Sequence, residues 1–393
     1  MTSTTQARPL PPLGLYVHIP WCERKCPYCD FPSQVRPPSL PEQAYVAALL
    51  TDLADEIARL DEPRDIETLF IGGGTPSLLS GPSIEALLDA IRRLANLAPD
   101  AEITLEVNPG TSDAGRLAAY RMAGVNRLSI GVQSFSDIQL RHLGRIHDAR
   151  TATATIVAAR DAGFANVNLD LMFGLPHQTD DDVQADIETA IALTPEHISY
   201  YELTIEPGTP FGRRPPVRPN EDGLAEGLRH ASASLERAGF RQYEVSAWAQ
   251  PGHRCRHNLN YWTFGDYLGI GAGAHGKLTR SAPWSVERSH KNSSPEVYLA
   301  VYQGHRTSGP ASGRRQRLSD DVLVLEFMIN ALRLTDGFPP GLFEARTGIP
   351  LARIRDALDR AHRDQLLEFD EERIRPTDLG RTFLDDLLHR FTR

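Results

Sequence analysis

Three of the four cysteines, Cys22, Cys26 and Cys29, lie within eight residues in the spacing C-x3-C-x2-C, whereas Cys255 is remote. A secreted disulfide framework would distribute its cysteines in pairs, so this run predicts a metal site in a reducing compartment. Thiolates on one loop can hold an iron–sulfur cube, and three cysteines for four irons leave one iron open for another ligand. Zinc is the alternative, since Cys255 or a histidine could complete its usual four ligands.

The elements around the cysteine run alternate six times between a short β-rich stretch and a helical stretch, which predicts βαβ units and a parallel sheet. The predicted strands are Leu13–Ile19, Ile66–Ile71, Ala101–Val107, Asn126–Val132, Asn166–Met172 and His197–Thr204. The predicted helices are Glu42–Leu60, Ser83–Asn96, Asp113–Ala123, Ala149–Ala162, Asp181–Leu193 and Glu221–Ala238.

The residues that could do chemistry occur at or just past the ends of successive predicted strands. They are Cys22, Gly72–Thr75, Glu106, Gln133 and Asp170. A β/α barrel collects its active site at the carboxyl ends of its strands, whereas a doubly wound sheet concentrates it at one switch point. The pattern therefore favours an α/β fold with a partial (β/α)6 barrel resembling the TIM barrel.

The chain is predicted to consist of three regions. Residues 1–250 form the barrel, residues 251–317 form a connecting region that is irregular from Pro251 to Gly313, and residues 318–393 form a small helical domain. The last region combines helices with a short hairpin, which resembles a winged helix. Its 15 acidic residues outnumber its 11 arginines, and it has no lysine. An acidic wing is a poor DNA-binding surface, so we expect a lid or a protein interface there.

Composition excludes several classes of protein. The chain has 393 residues, 24% of them charged, and a formal net charge of −9 with a pI near 5.8, so nucleic acid is not an expected partner. No run approaches the roughly 18–20 apolar residues of a membrane helix, and the first residues lack a secretory signal. We therefore expect a cytoplasmic protein.

The cysteine run and the glycine-rich turn Ile71-Gly72-Gly73-Gly74-Thr75 together resemble the radical SAM superfamily. In that superfamily the three cysteines hold a [4Fe-4S] cluster, and S-adenosylmethionine (SAM) binds the open iron and is cleaved there. The resemblance implies that Cys22, Cys26 and Cys29 are the metal ligands and that Cys255 is not.

Further motifs resemble the coproporphyrinogen dehydrogenase/HemW branch of this superfamily over nearly the whole chain. They include Glu106-Val-Asn-Pro109, Leu143-Gly-Arg145 and Asp170-Leu-Met-Phe-Gly-Leu-Pro176. The residues matching those that hold SAM in that branch are Tyr16, Tyr28, Gly73, Gly74, Thr75, Glu106, Gln133, Arg145 and Asp170. Arg145 is expected to pair with the SAM carboxylate, and the carboxylates with the amino group or ribose hydroxyls.

The run His257-Asn-Leu-Asn-Tyr261-Trp262 resembles the H-N-x-x-Y-W signature of the haem chaperones in this branch. Imidazole is a common axial ligand of haem iron, so His257 is the leading candidate for haem contact, ahead of His275 and His253. The alternative is that His257 and Trp262 brace the open side of the barrel.

Two functions follow from the resemblance. The first is a haem chaperone that binds a [4Fe-4S] cluster, SAM and haem and delivers haem to haemoproteins, with no catalytic residue assigned. The second is an oxygen-independent coproporphyrinogen III dehydrogenase, an enzyme that decarboxylates two propionates. The dehydrogenases have a fourth cysteine where this chain has Phe31, and a longer arm than Met1 to Leu13, so the chaperone is favoured. The sequence leaves a homodimer open.

Overall fold

The computed structural model describes residues 8–304 and 313–392, and a twelve-stranded mixed sheet forms its centre. The strands are β1 (Leu13–Ile19), β2 (Ile66–Gly73), β3 (Leu97–Val107), β4 (Arg127–Gln133), β5 (Val167–Phe173), β6 (His197–Glu202), β7 (Arg241–Glu244), β8 (Ala247–Ala249), β9 (Asp266–Ile270), β10 (His275–Ser281), β11 (Trp284–His290) and β12 (Arg314–Arg317). Their order across the sheet is β12-β11-β10-β9-β1-β2-β3-β4-β5-β6-β8-β7.

Strands β1 to β6 are parallel and lie in chain order, as the sequence predicts. This order has no switch point, so it corresponds to a partial barrel and not to a doubly wound sheet. The outward faces of the strands are apolar; in β1 these are Leu13, Leu15, Val17 and Ile19. They pack against the surrounding helices, and burial of this apolar surface is the main driving force for the fold.

The barrel contains the six predicted helices, each beginning within two residues of its predicted start, and two short helices that were not predicted. They are α1 (Glu42–Ile57), α2 (Gly81–Leu94), α3 (Ala114–Ala123), α4 (Asp137–His142), α5 (Ala149–Asp161), α6 (Asp180–Ala192), α7 (Pro210–Arg213) and α8 (Glu221–Arg237). Side-chain caps explain several of these starts, since Ser80, Asp113, Asp148, Thr179 and Asn220 each accept a backbone N–H of the first turn. Within the described residues, no helix is both long enough and apolar enough to span a membrane.

The described part of the connecting region, residues 251–304 and 313–317, is mostly regular, so the prediction of irregular structure from Pro251 to Gly313 is wrong there. It contains α9 (Arg256–Trp262), strands β9 to β12 and α10 (Pro295–Tyr302). Strand β9 pairs in parallel with β1, and β10, β11 and β12 then continue the sheet as antiparallel strands. The first strand of the chain therefore lies inside the sheet, with a parallel neighbour on each side.

The last region has a hydrophobic core of its own. Its helices are α11 (Asp320–Ala331), α12 (Pro340–Thr347), α13 (Arg355–Arg363), α14 (Asp378–Thr382) and α15 (Leu384–His389), and its hairpin consists of β13 (Leu367–Phe369) and β14 (Ile374–Pro376). Phe327 lies at the centre, edge-on to Phe338 and Phe343. Phe264 of the connecting region belongs to this core and contacts Phe327, so the last region packs against the connecting region. The three domain boundaries stay predictions.

A buried ion pair fixes the start of β9. The Asp266 carboxylate, fully buried, accepts hydrogen bonds from Lys277 Nζ at 2.9 Å, Thr279 Oγ1 at 2.8 Å and Arg64 at 2.8 Å. Burial raises the pKa of Asp266, but the charges of Lys277 and Arg64 outweigh it and hold the pKa below its usual value. The carboxylate therefore stays ionised and compensates a lysine that has no access to water.

We predict that Asp266→Ala destabilises the protein by about 3–5 kcal/mol, because it leaves the Lys277 ammonium buried without its counter-charge. The urea midpoint and its slope give this value. Asp359→Ala is the control, since it breaks the exposed Arg355–Asp359 pair and should cost no more than about 0.5 kcal/mol. Equal losses in the two variants would contradict the prediction.

Candidate functional site

The cysteine loop follows β1 directly and is closed by its own backbone. Trp21–Cys22 forms a two-residue parallel ladder with Gln34–Val35, and the Cys29 N–H donates to the Cys26 carbonyl at 3.2 Å. The Lys25 ammonium donates to the carbonyls of Phe31 and Ser33 at 3.0 and 2.9 Å. These bonds turn the loop back toward the sheet and hold the three thiols at the carboxyl end of the strand.

The thiols of the loop influence one another. Burial raises the pKa of Cys22 and of Cys29, and repulsion from the neighbouring thiol of Cys26 adds to this in both cases. The Arg145 guanidinium lies 3.6 Å from the Cys26 sulfur. Three thiols on one loop beside a cation are the donor set of an iron–sulfur cluster, which is held by thiolates.

The same thiols do not form a site for a single ion. In residues 8–304 and 313–392, no three His, Cys, Asp or Glu side chains converge closely enough to hold one metal ion. A four-iron cube is larger than one ion and spaces its thiolates further apart, so this finding does not exclude a cluster on the loop. Cys255 lies elsewhere, fully buried, with its sulfur 3.4 Å from the Glu102 carboxylate.

The glycine-rich turn after β2 packs against the cysteine loop. The Gly74 N–H donates to the Ile19 carbonyl at 2.7 Å, and a Cβ on Gly74 would lie 2.6 Å from the Trp21 oxygen and 3.0 Å from the Cys22 sulfur. Gly73 has φ +116°, a backbone conformation that favours glycine. Glycine at position 74 is therefore required for the close contact between the cysteine loop and this turn.

Two carboxylates lie inside the sheet next to this turn. Glu106 accepts the Gly73 N–H at 3.0 Å, and burial together with the nearby charge of Asp170 raises its pKa to about 8. Burial also raises the pKa of Asp170, although Asn168 and Ser129 hydrogen-bond to its two oxygens at 2.8 and 3.0 Å. A ligand that carries a positive charge would favour the ionised form of Glu106.

Arg145 and Gln133 lie over Gly131 of β4. Arg145 donates to the Gly131 carbonyl at 2.8 Å, and a Cβ on Gly131 would lie 3.1 Å from the Gln133 amide. Gln133 itself has φ +71°, a strained conformation for a residue with a side chain. The buried Nε of Arg145 has no hydrogen-bond partner in the described chain, so this guanidinium still has a donor for an anionic ligand.

The structure brings the predicted SAM residues to one end of the sheet. Tyr16 bonds to His18 at 3.0 Å and stacks on Phe70, and Thr75 hydrogen-bonds to the Cys22 thiol. Tyr28 lies beside Arg145 and Cys26. Gly74, Thr75 and Arg145 contact the cysteine loop, and Glu106 is joined to the adjacent turn through Gly73, so the residues present fit a cluster with SAM. Their binding roles stay predictions.

His257 lies at the other end of the sheet interior. It is 1% exposed, and its two ring nitrogens hydrogen-bond to Thr68 Oγ1 at 2.8 Å and to Tyr261 Oη at 2.9 Å. Burial, with the nearby charge of Arg127, lowers the pKa of His257 to about 3. These contacts favour the bracing role; its haem contact stays a prediction that requires one of the two hydrogen bonds to break.

The sequence analysis did not identify the residues that hydrogen-bond to the predicted ligands and fix their positions. Asn168 and Ser129 bind the Asp170 carboxylate, and His18 joins the Tyr16 hydroxyl to the Pro32 carbonyl at 2.9 Å. Asn168 and His18 each lie two positions from a predicted ligand on the same strand, and residues i and i+2 share a face. That spacing could have identified them.

Comparison with known proteins agrees with this geometry. The family model of the radical SAM superfamily matches residues 16–190, and that of the HemN C-terminal domain matches residues 318–383. The heme chaperone HemW of Escherichia coli K12 is 46% identical over 97% of this chain and 98% of its own. HemW of Haemophilus influenzae is 43% identical over the same shares. The solved coproporphyrinogen III oxidase HemN of Escherichia coli is 25% identical, with a TM-score of 0.80 over 98% of this chain and 91% of its own.

The raised pKa of Glu106 predicts a pH dependence of stability in the cluster-free, SAM-free protein. Between about pH 4.5 and 8 the folded chain keeps a proton that the unfolded chain has released, so this contribution to stability is lost as the pH rises. Glu106→Gln should remove that decline and give a higher urea midpoint than wild type at pH 8.5. Asp385→Asn, on the exposed face of α15, is the control and should keep the wild-type slope. A wild-type slope in Glu106→Gln would contradict the prediction.

Proposed function

The chain belongs to the radical SAM superfamily and, within it, to the family of the heme chaperone HemW, and we propose that it binds haem and delivers it to haemoproteins. The observation that carries the proposal is the similarity to HemW chains over nearly their whole length, at 46% identity for the Escherichia coli relative.

Residues at the carboxyl ends of the strands would hold the cofactors of this family. Cys22, Cys26 and Cys29 would bind the cluster, and Arg145 would pair with the SAM carboxylate through its unpartnered donor. Glu106 would face the SAM amino group and Asp170 the ribose hydroxyls. When bound, a cluster with SAM supplies one-electron chemistry, and the protein orients the reactants and excludes water.

The electrostatics of the pocket support this assignment. Glu106 holds its proton near neutral pH in the free chain, because burial and Asp170 oppose its charge. A positively charged amino group would reverse that balance and draw the carboxylate into an ion pair. Arg145 stays charged, since arginine is not deprotonated in proteins. The pocket therefore offers one anion and one cation to a ligand that carries both charges.

The second candidate function is coproporphyrinogen III decarboxylation, and the fold similarity to HemN favours it. Against it, the position of the fourth cysteine in those dehydrogenases is occupied here by Phe31, whose ring is 58% exposed beside the cysteine loop. An exposed phenylalanine cannot replace a thiol. We also propose that the protein acts in the cytoplasm; a homodimer stays a prediction.

The cysteine assignment predicts that three of the four Cys→Ala variants lose the cluster and that the fourth keeps it. Cys22→Ala, Cys26→Ala and Cys29→Ala should each fail to assemble the cluster after anaerobic reconstitution, because each removes one of three thiolates. Cys255→Ala should keep full iron and sulfide content, since its sulfur lies buried against Glu102. Iron and sulfide analysis with EPR measures this. Full cluster content in Cys26→Ala would contradict the assignment.

The functional proposal is tested by two assays on the reconstituted wild-type chain under strict anaerobiosis. We expect it to bind about one haem per chain and to transfer that haem to an apo-haemoprotein such as apomyoglobin. With coproporphyrinogen III, SAM and a reductant we expect no protoporphyrinogen IX by mass spectrometry. Turnover to protoporphyrinogen IX would make the enzyme the primary function, and a chain without haem binding would refute the chaperone.

A further inference from the structure

Two histidines face each other on the antiparallel half of the sheet, away from His257. His275 begins β10 and His290 ends β11, and the two are register partners. Their rings are stacked, with centroids 4.2 Å apart and planes inclined by 24°. His275 is exposed and His290 is half-buried, so one edge of the pair is open to a ligand.

The pair shares a face with the cofactor pocket. The strand register gives one row across the sheet: Tyr16 of β1 lies beside Gly269 of β9, Gly269 beside His275, and His290 beside Arg314 of β12. A Cβ on Gly269 would lie 1.8 Å from the His275 carbonyl oxygen, so only glycine fits between Tyr16 and His275. The row therefore has no side chain between the pocket and the histidines.

The ring nitrogens of this pair differ from those of the interior histidines. His257, His197 and His18 each use both ring nitrogens in hydrogen bonds to the protein. Within residues 8–304 and 313–392, neither His275 nor His290 makes a ring hydrogen bond. Burial lowers the pKa of His275, and the neighbouring His290 and Arg288 lower it further, which favours the neutral imidazole.

The surroundings of the pair suit a flat, partly anionic ligand. Arg314, the register partner of His290, is exposed and has no acidic partner in the described chain. On the other side, Pro32 lies against Gly273, two residues before His275, and the exposed ring of Phe31 precedes Pro32. An imidazole, a guanidinium and an aromatic ring at one rim can contact the iron, a carboxylate and the face of a porphyrin.

We propose that His275 supplies the axial imidazole for haem iron, with His290 stacked behind it and Arg314 placed for a haem propionate. This inference rests on the proposed function and deepens it by naming the ligand site. One imidazole nitrogen gives its lone pair to ferric iron and displaces water, so no electron transfer is needed. The site lies on the same face as the SAM pocket, which would place haem beside the cofactors.

The test is a titration of the full-length, reconstituted protein with hemin, followed by difference spectra in the Soret region and EPR of the ferric iron. Wild type is expected to show an imidazole-ligated spectrum. His275→Ala should weaken binding by roughly tenfold or more and change the spectrum, because the axial bond is lost. His290→Ala should weaken it less. His389→Ala, an exposed histidine on α15, is the matched control and should bind as wild type.

Free imidazole separates a lost ligand from a damaged fold. Added to His275→Ala, it should restore the wild-type spectrum, because it can occupy the space of the missing side chain; it should leave His389→Ala unchanged. If His275→Ala keeps the wild-type spectrum and affinity, or if only His257→Ala loses the spectrum, the inference is wrong and the proposed function stands. If wild type itself binds no hemin, the proposed function fails, and the inference fails with it.

Discussion

The contact on which the site depends is the close approach of the β2 turn to the end of β1. Gly74 donates to the Ile19 carbonyl, and its missing side chain admits the Trp21 backbone and the Cys22 sulfur. If this contact were wider, the cysteine loop would move away from the sheet. Glu106 binds the same turn through Gly73, so one backbone contact sets the distance between the thiols and the carboxylates of the pocket.

The sequence predicts the parallel half of the fold well, because apolar strands and capped helices carry local signals there. Its candidate residues lie at one end of the sheet because parallel strands bring their carboxyl ends together. It fails for β9 to β12, of which β9 has five residues and the Arg314–Arg317 strand exposes all four of its side chains. The start of β9 is fixed by a buried ion pair, Asp266 with Lys277, and a sequence does not reveal which acid meets which base. For the same reason the motif around His257 does not reveal that both of its ring nitrogens are already occupied.

Two of the lysines in this protein are buried, and each lies beside a buried carboxylate. The chain has only three lysines, and each has a defined place. Lys25 closes the cysteine loop, Lys277 neutralises Asp266, and Lys291 lies buried between Asp52 and Glu56 of α1. A compact ammonium fits between buried acids. Such pairs add little net stability compared with apolar packing. They do select one register for the strands that carry them, because any other register would leave a buried charge without its partner.

The position of β1 has a consequence for the synthesis of the chain. This strand is made before its parallel partner β9, which begins about 250 residues later. At roughly 5–20 residues per second, a ribosome needs about 12–50 s to cover that interval. During this time the cysteine loop is outside the ribosome while one wall of its sheet does not yet exist. Contacts between such distant segments also form slowly. The thiols are therefore accessible to oxidants and to cluster donors before the finished fold covers them.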